Sequence, residues 1–375
     1  NRHGMNDCLV IGGGVVGLSL AYQLAVDGLR VAVVDRGAVG REASWAGAGI
    51  LPPANSATAE HPYEQLCGLS HALHATWAER LREETGIDTG FRRCGGIYVA
   101  QSAAEMAGLL GAEAAWRDEQ IRCERCDLNK LGQLEPGLAD AARAGRLRAA
   151  WLLPDEYQLR NPWHLQALAA ACRQRGVRLI ENAEVTGFRF DGDRTEAVQT
   201  TGGELTAEAF AITSGAWSCL LLNQLGIANG ILPVRGQMVL YRCERPPLRH
   251  IVNSGPRYLV PREDGRLLVG STEEEVGFDK RTTAEAIAEL KRLATTLVPE
   301  LANAKVEATW AGLRPGSFDG FPYLGRVPRT SNLYIASGHY RSGLFLSPGT
   351  AVVMSAVIRQ AAPPIDLSPF RIGRG

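Results

Sequence analysis

The stretch from Asp7 to Asp35 constrains this chain more than any other. "DCLVIG" is a short apolar run of the kind that forms a parallel strand buried on both faces. "GGVVGLSLAYQLAVDG" then reads as a helix, with Gly17, Ala21 and Ala25 giving one flat stripe at i, i+4 spacing. Gly28 stops it, and "RVAVVD" is a second strand ending on Asp35. The turn between strand and helix is Gly12-Gly13-Gly14-Val15-Val16-Gly17, a GxGxxG set. Gly12 permits a tight turn, Gly14 lets backbone approach a pyrophosphate, and Gly17 brings the helix close to the strand. The helix N-terminus favours the anion, and Asp35, followed by Arg36, is placed to hydrogen-bond a ribose hydroxyl. This unit predicts a dinucleotide site but does not separate FAD from NAD.

The stretch "GREASWAGAGIL" follows, with bare or small residues at Ala43, Ser44, Gly47, Ala48 and Gly49 before Ile50. It reads as a loop that wraps a dinucleotide and offers it backbone amides. Residues 61–85 have helical apolar spacing, and 103–140 read as polar helix broken at Pro136. "LRNPWHLQALAAACRQRG" restarts the α/β alternation, with Asn161 as N-cap, Pro162 in the first turn and Gly176 as the stop. "AEAFAITSG" is another buried-type strand leading to Gly215 and Trp217. From 231 to 309 strands dominate, with "EDGR" as a hairpin turn and an amphipathic helix over 282–297.

These alternations predict an α/β and α+β protein. Residues 5–90, 150–225 and 310–365 form a discontinuous dinucleotide-binding domain, and 91–149 and 226–309 a sheet-rich second domain. Residues 1–4 read as a leftover ahead of Met5.

Equal numbers of basic and acidic residues, 40 each, argue against a nucleic-acid surface. No apolar run reaches membrane-spanning length, and the start leaves no room for a signal peptide, which points to the cytoplasm. Eight scattered cysteines are expected to be reduced thiols. Cys123 and Cys126 form a CxxC without a second ligand pair, so no metal is expected. His71 and His74 read as a solvated helix face, and Glu273-Glu274-Glu275 as a solvated rim.

Two further features carry chemistry. "WAGLRPGSFDGFPYLGR" ends an apolar strand on Arg314, whose planar fork matches a carboxylate; Tyr258, at the start of another strand, adds a neutral donor. The alternative for Arg314 is a structural ion pair with an acidic loop residue such as Asp319. "SGHYRSGLFLSP" is a glycine turn opening an apolar helix whose N-terminus presents unpaired N–H groups and, placed at the edge of a flavin, would stabilise its anionic reduced form; it contains His339, Tyr340, Arg341, Ser342, Gly343 and Leu344. His339 reads as structural rather than catalytic.

"LVIGGGVVGLSLAYQLA", "WAGLRPGSFDGFPYLGR", "GHYRSGLFLSP" and "RYLVPREDGRLLVGSTEEEVGFDKRTT" together resemble the FAD-dependent amino-acid oxidases of the D-amino-acid oxidase superfamily. Within it, the glycine-oxidase subgroup of thiamine biosynthesis is the nearest resemblance, over about Cys8 to Ile358. The resemblance implies a glutathione-reductase-type FAD domain and a substrate sheet that roofs the flavin. It gives Arg314 the substrate carboxylate, Tyr258 an assisting hydroxyl, Arg341 a place near substrate and flavin, and Val185 a backbone contact to adenine. It implies a homo-oligomer, possibly a tetramer.

The absence of cysteine at Gly312–Pro315 points to non-covalent FAD. Glu273 and Arg257 depart from the subgroup's pattern, and the strand alternation favours the rim for Glu273. The implied reaction passes a hydride from substrate Cα to the flavin, with O2 reoxidising it to give hydrogen peroxide and an imino acid. A D-amino-acid dehydrogenase, a sarcosine or N-methyl amine oxidase, and a non-catalytic dinucleotide-binding protein are the competing readings.

Overall fold

The computed structural model describes residues 5–374; the first four residues and the last lie outside it. Two eight-stranded sheets and one three-stranded sheet take up the strands, with helices packed on their faces, a mixed α/β architecture.

The first sheet is centred on Asn6–Ile11, with Val31–Val34 and then Arg178–Ile180 parallel to it on one side. Gly203–Ile212 is parallel to it on the other and carries Leu333–Ser337 in parallel beyond. Val31–Val34 is buried throughout, as a parallel strand covered on both faces must be. The strand Gly203–Ile212 serves two pairings. Its first half closes an antiparallel meander with Val185–Asp191 and Arg194–Thr200, and its second half lies between the parallel strands.

Helices Val15–Val26, Pro62–Thr85, Asn161–Gln174 and Gly343–Ile358 pack on one face of this sheet and on one another. Helix Val15–Val26 lies between the sheet and its neighbours, so it buries residues around most of its circumference. Pro62–Thr85 has its boundaries written locally. His61 and Glu64 form a capping box, Pro62 opens the first turn, and Gly86 at φ +71° closes the helix.

The second sheet runs in the order Lys305–Gly316, Leu232–Arg242, Arg266–Gly270, Arg257–Pro261, Ile251–Ser254, Gly96–Ala100, Ala149–Leu153, Glu124–Arg125. Pairings are antiparallel except between Ile251–Ser254 and Gly96–Ala100. Arg262–Gly265 makes the hairpin turn, with Gly265 at φ +81°. The amphipathic helix is Ala284–Leu297, capped by Thr283; Ala286, Leu290, Ala294 and Leu297 form its buried stripe against the outer face of this sheet. Residues 310–316 stay within this sheet as part of the Lys305–Gly316 strand.

Several local expectations are corrected. The polar stretch 103–140 is not one broken helix. Its capping box at Ser102 and Glu105 starts a helix that ends at Asp118, and Glu124–Arg125 then adds a short edge strand. That strand separates Cys123 from Cys126, whose side chains pack toward two different apolar clusters, so the CxxC is not a chelate. No group of three or more potential ligands poised for a metal occurs among the described residues.

Asn161 is not the N-cap but the first helical residue, and its amide donates instead to the Ser44 carbonyl (2.7 Å). His74 is not solvated. Helix Gly343–Ile358 covers it, its Nε2 meets the Phe345 carbonyl at 2.8 Å, and burial pushes its pKa down to about 4. Glu274 is not a rim charge either. It accepts from Arg235 at 2.9 and 3.2 Å, and Arg235 is itself buried.

The Glu274–Arg235 pair makes a pH prediction. Arg235 holds the Glu274 carboxyl down to about 2 against the opposing effect of burial, with Gln237 and Thr272 helping. Its folded pKa is below the ordinary 4.5, so the stabilisation is complete above about pH 4.5 and is lost as pH falls towards 2. Glu274→Gln is expected to cost on the order of 2–3 kcal/mol at neutral pH, because it leaves a buried guanidinium short of its counter-charge. In urea unfolding, the gap between variant and wild type should narrow from pH 6 to pH 3; a constant gap would contradict the assignment.

Candidate active site

A cavity of about 640 Å³ opens between the two large sheets, walled by both. Its first wall is the glycine turn. Gly12 has φ +112°, and a Cβ there would press on the Thr213 carbonyl at 2.7 Å. A Cβ on Gly17 would overlap the Gly12 carbonyl and reach Thr213 Oγ1 at 2.6 Å. Gly13 and Gly17 stand behind the wall, whereas Gly12, Gly14, Val15 and Val16 are on it. Thr213 and Ser214 brace the turn from the neighbouring strand end, donating to the Gly12 and Ile11 carbonyls at 2.8 Å each. Nothing in the local sequence announces that brace.

Asp35 lies at the end of this wall. Its two oxygens accept from the Gly13 and Gly37 N–H groups at 2.7 and 2.8 Å. Burial nevertheless raises its pKa, with those two bonds opposing the rise. A carboxylate has about four acceptor positions, so capacity remains for a hydroxyl pair. The Arg36 guanidinium stacks 3.6 Å from the Trp217 ring centroid and pairs with Glu42. Val185, Gly215 and Trp217 line the same end.

The segment expected to be a loop is corrected: Glu42–Ala46 is a short helix carrying Ala43 and Ser44, Gly47, Ala48 and Gly49 connect it to the short strand Ile50–Leu51, and this segment forms the adjoining wall. Ser44 Oγ accepts from the Val15 N–H at 2.9 Å, tying the segment to the first turn of the glycine helix. Gly49 has φ +76°, and a Cβ there would meet the Leu159 backbone and Asn161 Oδ1. The helices Val15–Val26 and Gly343–Ile358 both begin at the cavity, and no N-cap side chain accepts from their first turns. Bare backbone, two helix N-termini and an acid at one end fit a dinucleotide with a pyrophosphate.

The opposite wall is the second sheet, and its register explains what faces inward. Tyr98 is paired with Asn253, Asn253 with Tyr258, Tyr258 with Gly270, Gly270 with Met238, and Met238 with Trp310. One row of side chains thus crosses six strands. Strand alternation adds Gly236, Gly312 and Arg314 to the same face. Gly236 is the seat of Arg314, since a Cβ there would overlap the guanidinium.

Arg314 Nη2 donates to Ser271 Oγ at 2.5 Å and Nη1 to the Thr272 carbonyl at 3.0 Å. Tyr258 Oη contacts the same Ser271 hydroxyl at 3.2 Å. Ser271 therefore joins the two residues, a role sequence reading missed. Arg314 has no carboxylate partner among the described residues. The alternative partner, Asp319, is held by Arg374 at 2.8 Å. Three of the five guanidinium N–H groups of Arg314, itself a lining residue, donate to no described residue.

The turn before helix Gly343–Ile358 closes the site. The Tyr340 N–H donates to the Pro315 carbonyl (2.8 Å), fastening this turn to the Arg314 strand. Tyr340, Arg341, Ser342, Gly343 and Leu344 line the cavity with His339. His339 is buried, meets Thr350 Oγ1 at 3.0 Å and is held neutral by burial, with a pKa of about 3. Arg341 pairs with Glu273 and donates to the Pro256 carbonyl at 2.6 Å. Glu273 is exposed, so it lies at the rim, and Arg257 pairs with Glu289. No cysteine is among the lining residues.

The family model described as FAD dependent oxidoreductase (DAO) matches residues 7–357. A glycine oxidase from Pseudomonas aeruginosa is 38% identical over 363 residues, covering 96% of this chain and 97% of that protein. A bifunctional protein ThiO/ThiG from Synechocystis is 33% identical, with 94% of this chain matching 51% of its length. The crystal structure of glycine oxidase from Geobacillus kaustophilus superposes with a TM-score of 0.92 at 35% identity, covering 99% of both chains. With a glycine-turn cradle, a roofing sheet and a family match spanning nearly its whole length, the chain belongs to the DAO family of FAD-dependent oxidoreductases.

Proposed function

We propose that this protein is an amino-acid oxidase of the glycine-oxidase type, acting on glycine and other small amino acids in thiamine biosynthesis. The observation that carries the reading is Arg314: a guanidinium without a carboxylate partner among the described residues, seated by Gly236 in the wall facing a dinucleotide cradle. Its fork takes the substrate carboxylate, and Tyr258 adds a donor. Ser271 and Thr272 hold the fork at a fixed angle, so the substrate is oriented by groups that do not have to reorganise. FAD bound there without a covalent link would supply the acceptor for the hydride of the substrate Cα–H, with O2 as the final oxidant and hydrogen peroxide and an imino acid as products.

The chain's own residues bind, orient and exclude water. Asp35, Ser44 and the two helix N-termini would hold the dinucleotide. Arg341 stands at the mouth with Glu273 as its counter-ion, leaving Arg314 as the cation aimed inward. The first sheet with its helices serves as the cofactor unit and the second sheet as the substrate unit. The matches to a glycine oxidase over nearly full length and to one half of a ThiO/ThiG protein support this reading.

The test is a peroxide-coupled assay with glycine, sarcosine and small D-amino acids, together with an anaerobic titration. Glycine is expected to bleach the flavin and, in air, to give one peroxide per imino acid formed. Bleaching without peroxide would favour a dehydrogenase. No bleaching by any of these amines would overturn the reading.

A further inference from the structure

Glu156 is a fully buried carboxyl group whose hydrogen-bonding partners are both on the cavity wall. Its Oε1 accepts from Asn253 Nδ2 at 3.0 Å and its Oε2 from Tyr98 Oη at 2.5 Å. A Cβ on Gly96 would overlap this carboxyl group, so the strand is bare where Glu156 lies against it. No arginine or lysine pairs with Glu156 among the described residues. Cys94 is near enough to feel its charge, and the adjacent Asp155 is engaged elsewhere, with Arg93 and Arg122.

An amide beside a carboxylate has only one favourable orientation, because a carboxylate only accepts. Glu156 therefore draws in the Asn253 nitrogen and leaves Oδ1 on the cavity side. That oxygen accepts from no described residue. Asn253 is directly opposite Tyr258, whose hydroxyl assists Arg314, in the strand register.

We propose that Asn253 Oδ1 accepts a hydrogen bond from the substrate's amino group, and that Glu156 is a positioning residue that fixes the amide in that orientation. The inference rests on the amino-acid oxidase reading. A substrate whose carboxylate is held by Arg314 has its nitrogen left to satisfy, and the second sheet offers this acceptor in the same row of side chains. Tyr98 anchors the far oxygen of Glu156. Burial pushes the Glu156 carboxyl up to about 7, with its two donors opposing the rise. Once protonated it can donate to Asn253 Oδ1, and the amide is free to turn its nitrogen to the cavity, where it repels an amine donor.

The test uses the FAD-loaded enzyme with two ligands: glycine, and acetate, which has the carboxylate without the amine. Acetate binding is read from the flavin absorbance change, independently of turnover. At a pH well above 7, where Glu156 is ionised, Asn253→Ala and Glu156→Gln are each expected to raise the KM for glycine about tenfold or more, with a smaller change in kcat. The acetate Kd should stay within about twofold of wild type. Wild type should show a rise in glycine KM below about pH 7 that both variants lack.

Equal weakening of glycine and acetate, or an unchanged glycine KM in Asn253→Ala, would overturn the proposal. If Glu156→Gln does not fold, Asn253→Ala still decides. Failure of wild type to oxidise glycine would count against the functional reading itself. A working wild type whose variants show no split between the ligands would count against this inference alone.

Discussion

Arg314→Ala is expected to lower kcat/KM for glycine by about 30- to 1,000-fold, or 2–4 kcal/mol, with FAD still bound. The loss is large because the guanidinium offers charge-assisted, paired donors in a wall whose other nearby donor is the neutral Tyr258. Arg314→Lys should recover little, since an ammonium can neither fork onto a carboxylate nor span Ser271 Oγ and the Thr272 carbonyl together. Flavin absorbance should be retained in both variants, because Arg314 belongs to the opposite wall from the glycine turn. Steady-state kinetics beside a flavin spectrum check this; an unchanged kcat/KM in Arg314→Ala would remove the carboxylate clamp.

Gly17→Val should act earlier, on folding and cofactor retention. Its Cβ would overlap the Gly12 carbonyl, which is backbone and cannot swing aside, and it would press on Thr213. Overpacking of this kind costs about 1–3 kcal/mol and more where the neighbour is rigid. Here it also forces the helix away from the glycine turn that lines the cavity. The expected product is insoluble or flavin-free, read as a loss of the visible flavin bands relative to protein absorbance. Gly108→Ala is the control. Gly108 lies in helix Ala103–Asp118 with open space around its missing Cβ, so alanine there should be neutral or slightly stabilising. Normal flavin content in Gly17→Val would show that close helix–turn packing is dispensable.

The parts of the site legible from sequence are those whose reason is local. A glycine turn between a strand and a helix, an acid at the next strand end and a serine in a loop of small residues can each be read within a few residues. Arg314 was legible as a cation ending an apolar strand. Its seat was not, because Gly236 reaches it only through the pairing of two strands some eighty residues apart. Ser271 and Thr213 were missed for the same reason, since each supports a residue from a distant strand. The row from Tyr98 to Trp310 is a product of sheet register, which no local pattern encodes.

The misreadings have a common cause as well. His74 has helical spacing that looks solvated until helix Gly343–Ile358 covers it. Glu274 looks like one of three rim charges until Arg235 is buried beside it. Asn161 has the residue type of an N-cap, but the Ser44 carbonyl of the short helix Glu42–Ala46 offers its amide a better partner than its own helix does.

One junction has a consequence for exchange of the cofactor. The Trp310 indole donates to the Ala46 carbonyl at 3.1 Å, and Gly312 leaves room only for Ala46 and Ala43 to lie against the same strand. The roofing sheet is thus stitched to the short helix Glu42–Ala46 that walls the dinucleotide cradle. A long ligand lying beneath that seam departs only when the seam parts. Its release rate is then the rate of a local opening, steeply dependent on temperature, rather than a simple reflection of affinity. Tight cofactor retention in such a protein would owe as much to the kinetics of this seam as to the contacts along the nucleotide.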